Sequence, residues 1–199
     1  MEFEHSSENY WRVALELVAH IKEALDNPIG RKSWTEDNLN ALRTFRVGDA
    51  ELQWFPVKDH SKRSGLRGQF LWDFIGCTDQ DVLVIAESEW LSGSCDLKHD
   101  FEKLLYTRCP VKLMICGRWN RDGATIAKEL EEYARDCSSN FAPGEVFILF
   151  CTGWRNRDDT VRNDEVFYWQ IPGEVCTNDG RDFEFKAFTD ITFSTTPHR

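Results

Sequence analysis

The chain has 199 residues, with 34 Asp plus Glu against 24 Lys plus Arg, a formal net charge of −10 and 41% hydrophobic residues. That balance excludes a disordered chain, a collagen-like repeat and a coiled coil. No apolar run approaches the ~20 residues a bilayer span needs, and a pI near 5.0 argues against a general nucleic-acid coat while leaving room for a nuclease with a local basic groove around an acidic metal site. The length suggests one domain over residues 1–199, able to bury roughly 70% of its unfolded surface without staples. The acidic start, Met1 to His5, lacks a basic then apolar leader, so a cytoplasmic protein is expected.

In chain order, residues 9–26 place Trp11, Ala14, Leu15, Val18, Ile21 and Leu25 at helical spacing, and Pro28 and Gly30 end that helix. Residues 35–45 open with a Thr35 cap and read as a second short helix. Residues 50–57 and 69–76 read as two strands of an antiparallel hairpin around the polar segment 58–68. Residues 81–90 open as a continuous apolar run, the pattern of a strand covered on both faces. A Gly/Ser loop over 91–97 precedes a helix at 98–108, a buried strand at 111–119, an amphipathic helix at 122–137 and a third apolar strand at 145–154. A strand at 165–173 and a loosely patterned tail follow. Alternation of strand and helix between 81 and 154 implies parallel pairing through crossovers. The expected architecture is an α/β domain whose antiparallel hairpin feeds a partly parallel sheet. Its core spans about 9–154 and a C-terminal β extension about 155–199.

The seven cysteines, Cys77, Cys95, Cys109, Cys116, Cys137, Cys151 and Cys176, contain no Cys-x-x-Cys pair. Cys109, Cys116 and Cys151 lie in or beside apolar runs and read as small buried hydrophobes in a reducing compartment. The scattered histidines offer no zinc spacing, and P-loop, dinucleotide-binding, serine-hydrolase and zincin patterns are missing.

Charges on apolar strands carry the chemistry, because an unused or unpaired charge there is costly. Asp73 sits among aromatics in QFLWDFIG, and Glu87 and Glu89 close the run VLVIA with period-two spacing that puts both on one face. If these strands are neighbours, Asp73 and Glu87 converge, and converging carboxylates need a cation or a proton between them. An oxygen-only cluster favours Mg²⁺ or Mn²⁺. The plainer alternative is a solvated strand end, with Asp73 paired to an arginine.

The order helix, strand, hairpin strand ending in Asp, strand ending in Glu-x-Glu, helix, strand resembles the PD-(D/E)XK nuclease superfamily, the restriction-endonuclease-like fold with its αβββαβ core. The resemblance covers roughly residues 9–119 and implies a mixed central sheet flanked by helices, extended here by a further helix and strands. It implies Mg²⁺ or Mn²⁺ held by Asp73 and Glu87, 14 positions apart, with Glu16 of the first helix as an added acidic ligand. It also implies phosphodiester hydrolysis. The family's lysine, two residues after the acidic position, is Glu89 here, so Glu89 is expected to act as base or further ligand. Lys103 is the candidate for a migrated catalytic lysine, with Lys98 a second choice; an exposed lysine paired with Glu102 or Asp100 is the alternative. The same substitution fits a decayed site serving as a protein- or nucleic-acid-binding module.

Lys58, Lys62, Arg63 and Arg67 place four positive charges in the hairpin loop, where contact with DNA or RNA phosphates is expected, or else an ordinary solvated turn. Arg118, Arg121, Arg155 and Arg157 follow two strands at the ends where α/β proteins tend to bind ligands. Trp90, Trp119 and Trp154 end predicted strands, where they stack on bases or, more often, cap a core or fill a protein or homodimer interface.

Overall fold

The computed structural model describes residues 4–26, 34–48, 50–55, 72–89, 94–117, 121–136, 142, 144–153 and 164–170. Among them no helix is long and apolar enough to cross a membrane. The elements are α1 (Ser7–Asp26), α2 (Trp34–Arg43), β1 (Arg46–Val47), β2 (Ala50–Glu51), β3 (Gln53–Phe55), β4 (Phe74–Cys77), β5 (Val82–Glu89), α3 (Ser94–Leu105), β6 (Val111–Gly117), α4 (Gly123–Asp136), β7 (Val146–Thr152) and β8 (Glu165–Gln170).

A six-stranded mixed sheet runs in the order β3-β4-β5-β6-β7-β8. β3, β4 and β5 pair antiparallel, β5, β6 and β7 pair parallel, and β8 returns antiparallel on β7. The parallel strands are those whose sequences are apolar at successive positions, and both of their faces are covered. One face, with Val84, Ala86, Leu113, Ile115, Ile148 and Phe150, packs under Val13, Leu17 and Ile21 of α1 and Leu42 of α2. The other, with Ile85, Met114, Cys116, Phe147, Leu149 and Cys151, packs under Leu97, Phe101 and Leu104 of α3 and Ile126 and Leu130 of α4. The result is a three-layer α/β arrangement.

The strand expected at 50–57 is divided. Its first two residues pair as β2 with β1, which the sequence pattern did not indicate, across a turn at Gly48. Gly48 has φ +59°, which a side chain with Cβ adopts at a cost. The rest forms β3 against β4. Gly76 lies opposite Trp54, and a Cβ there would come within 3.0 Å of the indole ring. The bare backbone at Gly76 is what lets the ring lie across the strand. β4 begins after Asp73 rather than containing it. α3 starts at Ser94, four residues ahead of its expected position, with Asp96 in the first turn complementing the helix dipole. The tail after 170 lies outside the described residues.

Two charges are buried in the sheet where the α3–α4 layer covers it. Lys112 of β6 is fully buried, and its Nζ lies 2.6 Å from Glu145 Oε2, just before β7. The ammonium also sits 4.5 Å from the centre of the Phe147 ring. Glu145 Oε1 accepts the backbone N–H of Cys109 at 3.2 Å, so both carboxylate oxygens are used. Burial pulls the Lys112 ammonium below its usual pKa, and Glu145 opposes that shift. A buried pair contributes little over an apolar replacement, but breaking it strands a charge. Lys112→Met is therefore expected to destabilise the fold by about 3–5 kcal/mol, and Lys112→Met with Glu145→Gln to recover most of that loss, as read from urea unfolding midpoints at unchanged m-value.

Candidate functional site

Three elements bring charged side chains together at the α3 face of the sheet. On β5, Ile85 points into the α3–α4 core, and Glu87 and Glu89 continue on that face at period two. In the antiparallel pairing Phe74 lies opposite Ala86 and Ile75 opposite Ile85. Continued by one residue, this places Asp73 opposite Glu87 and on the same face. The Asp73 carboxylate accepts the backbone N–H of Ser88 at 2.9 Å, which fixes it to the neighbouring strand. From the other layer, Asn38 of α2 donates to the Ser88 hydroxyl at 2.8 Å and anchors the same residue. Trp72 packs on the α3–α4 core, and its indole N–H makes a long 3.5 Å contact to the Lys103 carbonyl, tying the start of β4 to α3.

α3 supplies the cation. Lys103 Nζ lies 2.9 Å from Glu87 Oε1 and 2.8 Å from Asp100 Oδ1, one helical turn back. Glu87 is 1% exposed. Neither of its carboxyl oxygens has an aligned hydrogen-bond partner among the described residues, so the Lys103 contact is close but lacks good hydrogen-bond direction. Burial pushes the Glu87 carboxyl up to about 8; Lys103 opposes the shift and the nearby Asp73 charge adds to it. Burial alone would lower the Lys103 pKa, but Asp100 and Glu87 together outweigh it and hold the ammonium above its ordinary value. One ammonium thus serves two carboxylates, with a third beside them.

The structure places the other sequence-predicted residues as follows. Glu89 is half-buried at the end of β5 on the Glu87 face. Glu16 is not brought to the cluster. It lies on α1, which covers the opposite face of the sheet, and it pairs with Arg12 at 2.9 Å on the outward side of that helix. The inward positions around it belong to Val13 and Leu17, so a core-facing helix leaves its carboxylate to solvent. Lys98 sits 6.0 Å from the Tyr133 ring centre rather than beside Glu87. Glu102 is hydrogen-bonded by the Tyr133 hydroxyl, which leaves Lys103 to Asp100 and Glu87. Arg121 pairs with Glu129 of α4 at 2.6 Å. Lys58, Lys62, Arg63 and Arg67 lie outside the described residues, as do Arg118, Arg155, Arg157, Trp90, Trp119 and Trp154.

Asp100 is the cluster member the sequence suggested only as a rival partner for Lys103. Its i,i+3 spacing to Lys103 was the available signal. Among the described residues, no group of three or more His, Cys, Asp or Glu side chains is arranged to hold a metal ion. Asp73 and Glu87 are nonetheless two hard oxygen donors side by side, and Glu87 is a buried carboxylate short of partners. Mg²⁺ is commonly held by one or two carboxylates, with water and substrate phosphate completing its shell, so the pair suits it in type. No family model, curated protein or solved structure matches the chain.

The buried carboxyl makes stability depend on pH with a defined sign. The folded state holds the Glu87 proton up to about pH 8, whereas the unfolded chain releases it near 4.5. Between those limits the folded state binds more protons, so stability falls as pH rises, by at most about 1.4 kcal/mol per unit. Glu87→Gln keeps the neutral shape and removes this slope. Its melting temperature is expected to match the parent's at the acidic limit and to exceed it above pH 8. Thermal melts across the window check this, and curves that stay parallel contradict it.

Proposed function

We propose that the chain is a metal-dependent phosphodiesterase of the PD-(D/E)XK type, acting on DNA or RNA. The observation that carries this reading is the convergence of Asp73, just ahead of β4, Glu87 of β5 and Lys103 of α3 on one face of the sheet. The order of elements supports it. After α1, the antiparallel strands β3, β4 and β5 are followed by α3 and then by β6 parallel to β5, the αβββαβ order that the sequence resemblance implies. α2, β1 and β2 are inserted between α1 and β3.

Asp73 and Glu87 would hold Mg²⁺ or Mn²⁺ through their oxygens. When bound, such an ion polarises the scissile phosphate and lowers the pKa of a coordinated water. Lys103 is anchored independently by Asp100 at 2.8 Å, so its ammonium stays in the site when Glu87 turns to another cation. It is then available to the charge that builds on the phosphate oxygens. Glu89 stands where the family has lysine and is the candidate general base. Lys58, Lys62, Arg63 and Arg67, next along the chain from β3, are the proposed phosphate contacts that position the strand.

A second reading rests on one specific contact. The Lys103 ammonium already sits against Glu87 at 2.9 Å, the position a metal would compete for. In that reading the cluster is an internal ion network, and the fold binds a protein or nucleic-acid partner without cleaving it.

Cleavage of single-stranded DNA, double-stranded DNA and RNA with added Mn²⁺ separates the two. For an active site, Asp73→Asn and Glu87→Gln are expected to abolish Mn²⁺ uptake by calorimetry along with cleavage. Lys103→Ala is expected to lower the rate by about 10²–10³ while Mn²⁺ still binds. Glu89→Lys is expected to lower activity although it restores the family pattern. A parent protein with neither Mn²⁺ uptake nor cleavage overturns the nuclease reading and favours the binding module.

A further inference from the structure

Cys116 and Cys151 face each other across the parallel β6–β7 pair, in direct register. Both are fully buried, and the Cys116 thiol lies 3.4 Å from Cys151 Sγ. They lie next to last in their strands, inside the apolar cluster beneath α3 and α4. The row they occupy crosses four strands, from Glu89 through Cys116 and Cys151 to Glu165.

Geometry favours a bond between them. Neighbouring strands lie about 4.8 Å apart, and disulfides span Cα separations of about 4.4–6.8 Å. The two sulfurs need to approach by roughly 1.4 Å to reach bonding distance near 2.05 Å, a movement that side-chain rotation provides. Their shared register position already holds the two sulfurs in contact, which is the starting arrangement a bond needs. Such a thiol pair inside a closed core also excludes bulky oxidants and reductants, which leaves small peroxides as the reagents that reach it during local opening.

We propose that Cys116 and Cys151 form a dithiol pair that hydrogen peroxide, or a peroxide of similar size, converts into a cross-strand disulfide. One thiol loses its proton and its sulfur attacks a peroxide oxygen. An S–O bond forms, the O–O bond breaks, and the released hydroxide takes that proton to leave as water. The second thiol then gives up its proton and attacks the sulfenic sulfur. The S–S bond forms, the S–O bond breaks, and a second water leaves. Two thiols are oxidised by two electrons, and one peroxide is reduced to two waters. The bond closes a loop that contains α4 and most of β7, which restricts the unfolded chain.

The test treats the full chain with hydrogen peroxide and maps the linked peptides by mass spectrometry without reduction. The expected result is loss of two hydrogens, a single cross-link joining the Cys116 and Cys151 peptides, and a melting temperature raised by about 5–10 °C that is lost once the chain is unfolded in dithiothreitol and refolded. Cys116→Ala and Cys151→Ala are each expected to lose both the cross-link and the shift, with circular dichroism confirming that they fold. The peptide map of the parent decides the matter even if neither variant folds. Both thiols surviving treatment, direct over-oxidation to sulfinic acid, or cross-links confined to other cysteines would each overturn the proposal.

Discussion

A sheet covered on both faces leaves no solvated position for a charge along its inner strands. Every ionisable group buried on β5, β6 or β7 must meet a partner inside the protein or keep its neutral form, and that requirement organises this molecule. Lys112 meets it with Glu145 and the Phe147 ring. Glu87 meets it less completely, with one ammonium shared with Asp100 and no aligned hydrogen bond of its own among the described residues. The contrast separates the two pairs. The first has its carboxylate oxygens matched on both sides, as a structural ion pair does. The second is under-satisfied and lies where three elements meet, as sites that exchange partners do.

Much of this arrangement was readable from residue patterns. Unbroken apolar runs marked β5, β6 and β7 as strands buried on both faces, and the helices between them fixed parallel pairing. Period-two spacing put Glu87 and Glu89 together. Lys103 was singled out through the family resemblance, as a lysine carried by the helix that follows β5, and that helix does bring it to Glu87. Other features escaped because they depend on which layer an element joins. Glu16 was placed by its position in the first helix, yet that helix covers the far face of the sheet, and no local pattern distinguishes the two layers. Pairing of Lys103 with Glu102 or Asp100 was weighed against a place at the acidic site, whereas an ammonium with three donors reaches Asp100 and Glu87 together. β1 and β2 are two residues each, too short for any periodicity to show.

Around the candidate site, the supporting contacts come from both layers. Ser88 presents its N–H to Asp73 on one side and takes the Asn38 amide on the other, so α2 indirectly steadies a carboxylate that faces α3. Trp72 braces the strand start against the carbonyl of Lys103 itself. These links reach both the carboxylate and lysine sides of the cluster through backbone groups. Such a frame holds side chains in place while their charges change. Both functional readings require it: a catalytic centre to keep donors aligned, and a binding module to keep its surface in one shape.

The buried Lys112–Glu145 pair has a further consequence for how the chain reaches this structure. Sliding β6 past β7 by one residue would carry the lysine to the opposite side of the sheet, against the apolar underside of α1, and leave Glu145 behind. Valine, leucine and isoleucine neighbours would tolerate that slip far better, since either side of the sheet is apolar. The pair therefore acts as a proofreading mark within an otherwise permissive hydrophobic pattern. It adds little to the depth of the native basin and raises the energy of its nearest misaligned competitor.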